Sequence, residues 1–383
     1  MRDKKFFLAI SVLLGTMIGA GIFGIPYVIS RSGMIPGFFY FLILGGTVFL
    51  IHLFFGEIVL RTKERHRLPG YAKKYLGNWG ERIAAFSTIF GMIMVLLIYI
   101  ILGGDFLEIL FFSFFPSIGG LSPSHFSLIF WLILSFFIFK GIKFIAPAEF
   151  FTNLAFIFII FLIFCLALPK VNFQNFTLFD FKNIFLPYGV ILFALTGWSA
   201  IPEMGEVLKD SQERKKFKKA IYFSIIIALL LYALFTLTIV GVSGKNTSPE
   251  VFWGLSRYLD PKIVFLGVLA GLITIADSFL IIGLYLRNTL IYDYKLQKIP
   301  SSLISCGFPL ILFLLGFRQF INIIGFAGTF IGAIEGIIII LIWKKAKLLG
   351  NREPEYSLEI PSILLYTLIA IFILGTVSHF LLS

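Results

Sequence analysis

Charge is what this chain has least of: Asp, Glu, Lys and Arg make up only 14% of its 383 residues. A soluble domain carries about 25%, so a water-facing globular fold is excluded. Cysteine is scarcer. Cys165 and Cys306 both lie in apolar runs with no CxxC spacing, which removes a disulfide framework and a thiolate metal site. The four histidines (His52, His66, His125, His379) are scattered, and none pairs with another ligand type one helical turn away. No metal and no cofactor are expected. An intramembrane enzyme would need a nucleophile with a base, or clustered metal ligands, and neither is present. An ion channel would show a filter-like loop or a ring of charge, and neither is visible.

Acidic residues are in the minority, which leaves a net charge of +12. In a soluble protein that balance would point to nucleic acid, but no compact basic domain exists to carry it. The basic residues fall in short loops between apolar runs, where membrane topology accounts for them.

What the chain has in abundance is apolar surface: 59% hydrophobic residues, 48 phenylalanines and a mean hydropathy of +0.98. Such a composition argues against disorder and for an all-α integral membrane protein. A spanning helix needs about 20 apolar residues. Eleven segments qualify, at about 6–30, 36–60, 83–111, 125–143, 146–168, 185–208, 219–243, 262–287, 300–317, 319–343 and 360–381. The weakest boundary is Gly316-Phe317-Arg318-Gln319, between the ninth and tenth. Arg2, Lys4 and Lys5 before an apolar run mimic a secretory signal, but the run continues to about Ser30, so a retained first span is expected.

With the N-terminus inside, 25 Lys and Arg fall on inner segments and 7 on outer ones, which supports a cytoplasmic N-terminus and an external C-terminus. The longest inner loop, 61–82, carries an amphipathic basic stretch expected at the membrane surface. The outer loop 243–261 has room for a short helix, and two glycosylation sequons start at Asn175 and Asn246 on the same side.

Two spans are interrupted. Gly15-Thr16-Met17-Ile18-Gly19-Ala20-Gly21-Ile22-Phe23-Gly24-Ile25-Pro26 puts four glycines and a proline into the first. Relative to Ala, Gly costs a helix roughly 1 kcal/mol and interior Pro roughly 3. Phe193-Ala194-Leu195-Thr196-Gly197-Trp198-Ser199-Ala200-Ile201-Pro202-Glu203 does the same in the sixth. Gly19 and Gly197 are 178 residues and five spans apart, so related positions would run in opposite directions. Broken backbone in hydrocarbon is tolerated only where it is buried in protein or lines a cavity. Two breaks in corresponding positions mark the binding site of an inverted-repeat transporter. The plainer reading of each alone is a proline kink with glycine packing.

These residues resemble the amino acid–polyamine–organocation superfamily, whose members share the LeuT-type five-plus-five fold. The pattern G-x-x-I-G-A-G followed by Pro matches Gly15 to Pro26, and F-x-x-x-G with I-P-E matches Phe193 to Glu203. Gly56-Glu57-Ile58 through Lys63, Ser278-Phe279-Leu280 through Leu284, and Ala333-Ile334-Glu335-Gly336 are also similar. The likeness is greatest to hydroxy and aromatic amino acid permeases and amino acid/auxin permeases. It implies an inverted repeat of 1–168 and 185–343, with 360–381 as an additional transmembrane helix in the cell membrane.

An amino acid brings a carboxylate and an ammonium to mid-membrane. The amides of Gly19, Ala20 and Gly21 open the second half of span one and would receive the carboxylate. Carbonyls of Met17, Phe193 and Ala194, with the Thr196 hydroxyl, would receive the ammonium. Trp198 and Phe193 could close over the side chain, although simple packing explains most span aromatics. For ion coupling, Thr274, Asp277 and Ser278 share one helical face. The resemblance adds carbonyls at Gly15 and Ile18 to form a cation site. An intramembrane Asp costs about 2.5–3.5 kcal/mol on insertion scales, so a function is its default reading; the plainer one is satisfaction by a neighbouring hydroxyl or base.

Glu203 is expected to be a gate or proton carrier, and Glu57 and Glu206 to pair with loop cations. Glu335 reads as structural, and Asp105 and Glu108 as solvated. The expected function is secondary active amino acid transport by alternating access, coupled to H⁺ or Na⁺. The alternative is a non-transporting amino acid sensor on the same fold. The expected partners are a small amino acid and the lipid bilayer, with no nucleic acid; oligomeric state is open.

Overall fold

The computed structural model describes residues 2–118, 120–141, 146–292 and 294–382. Among the described residues it is helical throughout, with a single isolated bridge between Ser248 and Val251 in place of any sheet. The first predicted span is two helices, α1 (Arg2–Met17) and α2 (Gly21–Ser32), bent by 54°. Then come α3 (Met34–Arg61), α4 (Leu68–Leu76), α5 (Asn78–Phe114), α6 (Pro123–Lys140) and α7 (Ala146–Ala167). The sixth predicted span is α8 (Leu186–Leu195) and α9 (Ile201–Val207) around a 3-10 turn at Trp198–Ala200. It is followed by α10 (Ser211–Arg214), α11 (Phe217–Ser243), α12 (Phe252–Leu255), α13 (Pro261–Tyr292) and α14 (Lys298–Leu314). The chain closes with α15 (Phe320–Phe326), a π-turn at Ala327–Ile331, α16 (Gly332–Leu349) and α17 (Ser362–Leu382).

Among the described residues, seven helical stretches are long and apolar enough to cross a bilayer, and the bent α1/α2 pair makes an eighth. The remaining predicted segments are helical but shorter or broken, and position 143, where the fourth was expected to end, lies outside the described residues. Phe38, Leu42, Leu132, Phe158 and Leu230 stand exposed on outer helix faces, where lipid would cover them. The boundary at 316–319 separates α14 from α15 as expected.

One face gathers the N-terminus and the basic loops. Lys5 Nζ lies 2.7 Å from Glu213, and Arg65 and Arg67 pair with Glu206 and Glu203 at 3.8 and 3.9 Å. On this basic face α4 turns Leu68, Tyr71, Ala72 and Tyr75 inward against α5 and α16, leaving Lys73 outside. The amphipathic loop helix is thus docked on protein. On the opposite face, Gly33 (φ +102°) turns the chain between α2 and α3 so tightly that a Cβ there would sit 2.6 Å from the Leu178 carbonyl oxygen. Here the loop holding α12 folds back over the end of α5. Glu108 is consequently buried and Asp105 half-buried, within electrostatic reach of buried Glu250, and not solvated as expected.

Candidate functional site

The two breaks cross in the middle of the bundle. A Cβ on Gly21 would lie 2.6 Å from both Cα and Cβ of Ala194, so only glycine lets α2 approach α8 this closely. Gly197 is held as tightly, with Met17 Cγ 2.6 Å from the position its Cβ would take. The Tyr232 hydroxyl, fully buried on α11, reaches the Met17 carbonyl at 2.6 Å and the Ala194 carbonyl at 2.9 Å. With one proton to give, the phenol shares it between these two carbonyls at the ends of α1 and α8.

The other ends of the breaks remain open. Ala20 caps α2 without a side-chain bond, and among the described residues no acceptor engages the amides of Gly19, Ala20 or Gly21. A helix start leaves such donors unpaired and carries positive partial charge. They line a cavity of about 200 Å³ together with Thr16, Met17, Phe193, Thr196 and Trp198. At roughly 30 Å³ per water, that space suits one small solute. The Tyr99 hydroxyl approaches the position of a Gly19 Cβ to 3.1 Å, so this wall is polar as well as narrow.

Spans three and eight line the pocket, as the sequence leads one to expect, but it names none of their lining residues and does not point to the π-turn. α5 contributes Thr88, Gly91, Met92 and Val95, α13 contributes Ile281, Ile282 and Tyr285, and the π-turn contributes Ala327, Gly328 and Ile331. π-turns recur at functional sites, and Gly325, Gly328 and Gly332 were the available signal. Glu335, read as structural, lines the cavity: its oxygens accept from Trp198 Nε1 at 2.6 Å and Thr88 Oγ1 at 3.2 Å. Trp198 is therefore part of the wall and held through its indole N–H. Of the expected ammonium acceptors, Met17 and Ala194 already receive Tyr232, and Phe193 receives the Thr196 hydroxyl at 2.7 Å. Each carbonyl has a second lone pair to offer.

Glu203 stands at a mouth. Thr88, Glu203 and Tyr285 line both the cavity and a wider vestibule of about 740 Å³ on the basic face. The Arg67 guanidinium sits 3.7 Å over the Tyr285 ring and 3.9 Å from Glu203. Towards the opposite face, Phe23 packs against Phe106, Phe156, Phe235 and Phe252 with ring centroids 5.0–6.1 Å away, forming an aromatic plug.

The coupling set is less assembled. Asp277 is half-buried and accepts from the Thr152 hydroxyl on α7 at 3.0 Å, while Thr274 donates to its own helix at Ala270. Gly15 and Ile18 are buried in and just after α1, and Ser278 is half-buried. Among the described residues no bond joins these five to one another; α7 is the element that contacts both α1 and α13. Glu57, expected to pair with a loop cation, is fully buried and pairs with Arg61 at the end of its own helix, at 2.7 Å. Glu206 pairs with Arg65 as expected.

Three comparisons bear on this arrangement. Residues 2–379 match the tryptophan/tyrosine permease family. Glutamine transporter 2 of Aliivibrio fischeri is 21% identical over 335 residues, which is 85% of each chain. The crystal structure of MhsT in complex with L-phenylalanine matches with a TM-score of 0.63 and 14% identity, covering 99% of this chain and 97% of that one. At that identity the likeness shows the fold, which is LeuT-type, as the broken helices implied. The matching family is one of permeases and the curated relative is a transporter, so this is not a family of enzymes. The chain belongs to the tryptophan/tyrosine permease family and is an integral membrane protein that transports amino acids.

Proposed function

We propose that this protein is a secondary active permease of the cell membrane that moves aromatic or hydroxylated amino acids by alternating access. The observation that carries it is the crossing of two helix breaks at one small cavity, with the Gly19–Gly21 amides on its wall engaged by no acceptor among the described residues. Those amides receive the substrate carboxylate, and the carbonyls of Met17, Phe193 and Ala194 with the Thr196 hydroxyl receive the ammonium. The basic face is cytoplasmic, in keeping with the distribution of Lys and Arg. The cavity shares its lining with the vestibule on that face, while the Phe23 plug lies towards the other. The form described is therefore inward-facing. Arg67, straddling Glu203 and Tyr285, is the inner gate. Within the inverted repeat of 1–168 and 185–343, with 360–381 appended, the bundle that contains the broken spans α1/α2 and α8/α9 rocks against the remaining scaffold.

Coupling to H⁺ or Na⁺ rests on Asp277, with Thr274, Ser278 and the carbonyls of Gly15 and Ile18 around it. Its one bond among the described residues, from Thr152, leaves acceptor capacity for an ion or a proton. The test is uptake of labelled amino acids into proteoliposomes under an imposed pH gradient, a Na⁺ gradient, or neither. Accumulation under one gradient names the ion, and Asp277→Asn is expected to abolish it while leaving counterflow. Accumulation that survives the substitution moves coupling to Glu203. Binding without uptake or counterflow would sink the transporter reading in favour of a sensor.

A further inference from the structure

Glu335 differs from every other group on the cavity wall. It faces a solute-sized space as an acceptor with no cation paired to it among the described residues. Its two oxygens are held from different walls, Oε2 by Trp198 Nε1 at 2.6 Å and Oε1 by Thr88 Oγ1 at 3.2 Å. A carboxylate has roughly four acceptor positions, so these two bonds, with the Ser87 hydroxyl also in reach, fix its direction without exhausting it. Around it the wall is apolar or bare backbone: Gly91 and Val95 from α5, Ile331 and Gly332 from the π-turn and α16. A substrate side chain lying here finds neutral hydroxyls such as those of Thr88 and Thr196, and one carboxyl without a cation partner among the described residues, Glu335.

We propose that Glu335 is the side-chain selectivity residue of this permease: it takes the N–H or O–H donor at the end of the substrate's side chain, with Trp198 and Thr88 positioning it. The assignment rests on the cavity being the substrate site, as proposed above. A site that hydrogen-bonds a substrate donor rejects the analogue lacking it far better than an apolar pocket discriminates size, because its own acceptor is left unpaired. A hydrogen bond to a charged group corresponds to about 10- to 100-fold in affinity. Donor-bearing side chains (phenol, indole, primary amide) are therefore favoured over isosteres that cannot donate.

The experiment is equilibrium binding to the purified, full-length protein of three pairs: L-tyrosine and L-phenylalanine, L-tryptophan and 1-methyl-L-tryptophan, L-glutamine and L-methionine. The wild type is expected to prefer the donor-bearing member of at least one pair by about tenfold or more. Glu335→Gln is expected to narrow that ratio severalfold while the member without a donor binds as before. Thr88→Val, which removes the bond positioning one Glu335 oxygen while leaving the carboxylate in place, is expected to narrow the ratio, less than Glu335→Gln does, and it decides the matter if Glu335→Gln fails to fold. No preference in the wild type, or equal weakening of both members by Glu335→Gln with no change in ratio in Thr88→Val, overturns the assignment. A wild type that binds none of the six amino acids overturns the aromatic substrate reading on which the assignment rests, before any variant is made.

Discussion

Glu57 and Glu335 are both intramembrane glutamates that accept an indole N–H, yet they do opposite work. Glu57 is fully buried near the end of α3 and receives Trp343 Nε1 at 2.8 Å, the Leu358 amide at 2.9 Å, Ser357 Oγ at 3.1 Å and Arg61 at 2.7 Å. Every direction in which its oxygens can accept is occupied by protein. Glu335 lies on α16, eight residues before Trp343, about two helical turns away. It receives Trp198 and Thr88, with the Ser87 hydroxyl also within hydrogen-bonding reach, and among the described residues no cation pairs with it on the cavity side. A carboxylate in a membrane core needs compensation. Where the protein supplies all of it, the group is a rivet, and where it supplies part, the rest is left for a ligand.

Removing the rivet should have the largest effect. Glu57→Ala leaves Arg61 and three further donors without their acceptor and frees the 351–358 strap, whose Asn351 and Arg352 amides bond the Arg61 carbonyl. Breaking one side of a buried ion pair costs about 3–5 kcal/mol. Thermal unfolding in detergent should show that loss, together with proteolysis of the strap. Glu335→Gln should cost under about 1 kcal/mol, since the amide keeps one acceptor. Equal destabilisation of the two variants would erase the distinction between rivet and ligand site.

Tyr232→Phe falls between them. Its hydroxyl supplies the donor to the Met17 and Ala194 carbonyls where the two breaks meet. A buried polar group left unpaired costs about 1–3 kcal/mol. The melting temperature should fall by an amount between those of the two glutamate variants. Amide exchange should rise at residues 17–21 and 194–200 ahead of the rest of the bundle. Uniform exchange would mean that the phenol is packing alone.

The breaks were legible in the sequence because Gly19, Gly21, Gly197 and Pro202 are poor helix formers wherever they sit, and local chemistry fixes them. Tyr232 was not legible. In the run Leu229-Leu230-Leu231-Tyr232-Ala233 it reads as packing, and its acceptors lie 215 and 38 residues away. The same distance problem separates the two glutamates: what makes Glu57 a rivet comes from residues about 290 to 300 positions on. For Glu335 the signal is where the cavity runs, which no spacing along α16 encodes. Asp105 and Glu108 were expected to be solvated from their place near a helix end; the loop carrying α12 covers them instead.

The smallest effect belongs to Glu64, a third glutamate on the same basic face as Glu57 but exposed to water. It accepts from Lys74 and from Asn351 Nδ2 at 3.0 and 3.1 Å, and these bonds, the Lys74 one foremost, hold its carboxyl down at about 2 from the usual 4.5. A depressed carboxylate stabilises the fold above its unfolded value and stops doing so as pH falls through the folded one. Its contribution is therefore constant from pH 8 to pH 5 and fades only in strong acid, between 4.5 and about 2. Exposed pairs also exchange bonds with water at little net gain, so Glu64→Gln should leave the melting temperature unmoved. Amide exchange of residues 351–358 should be equally protected at pH 8 and pH 5 once intrinsic rates are divided out. Selective loss of protection at pH 5 would mean that the strap hangs on an exposed titrating group, and that Glu57, with all its donors, is not what holds it.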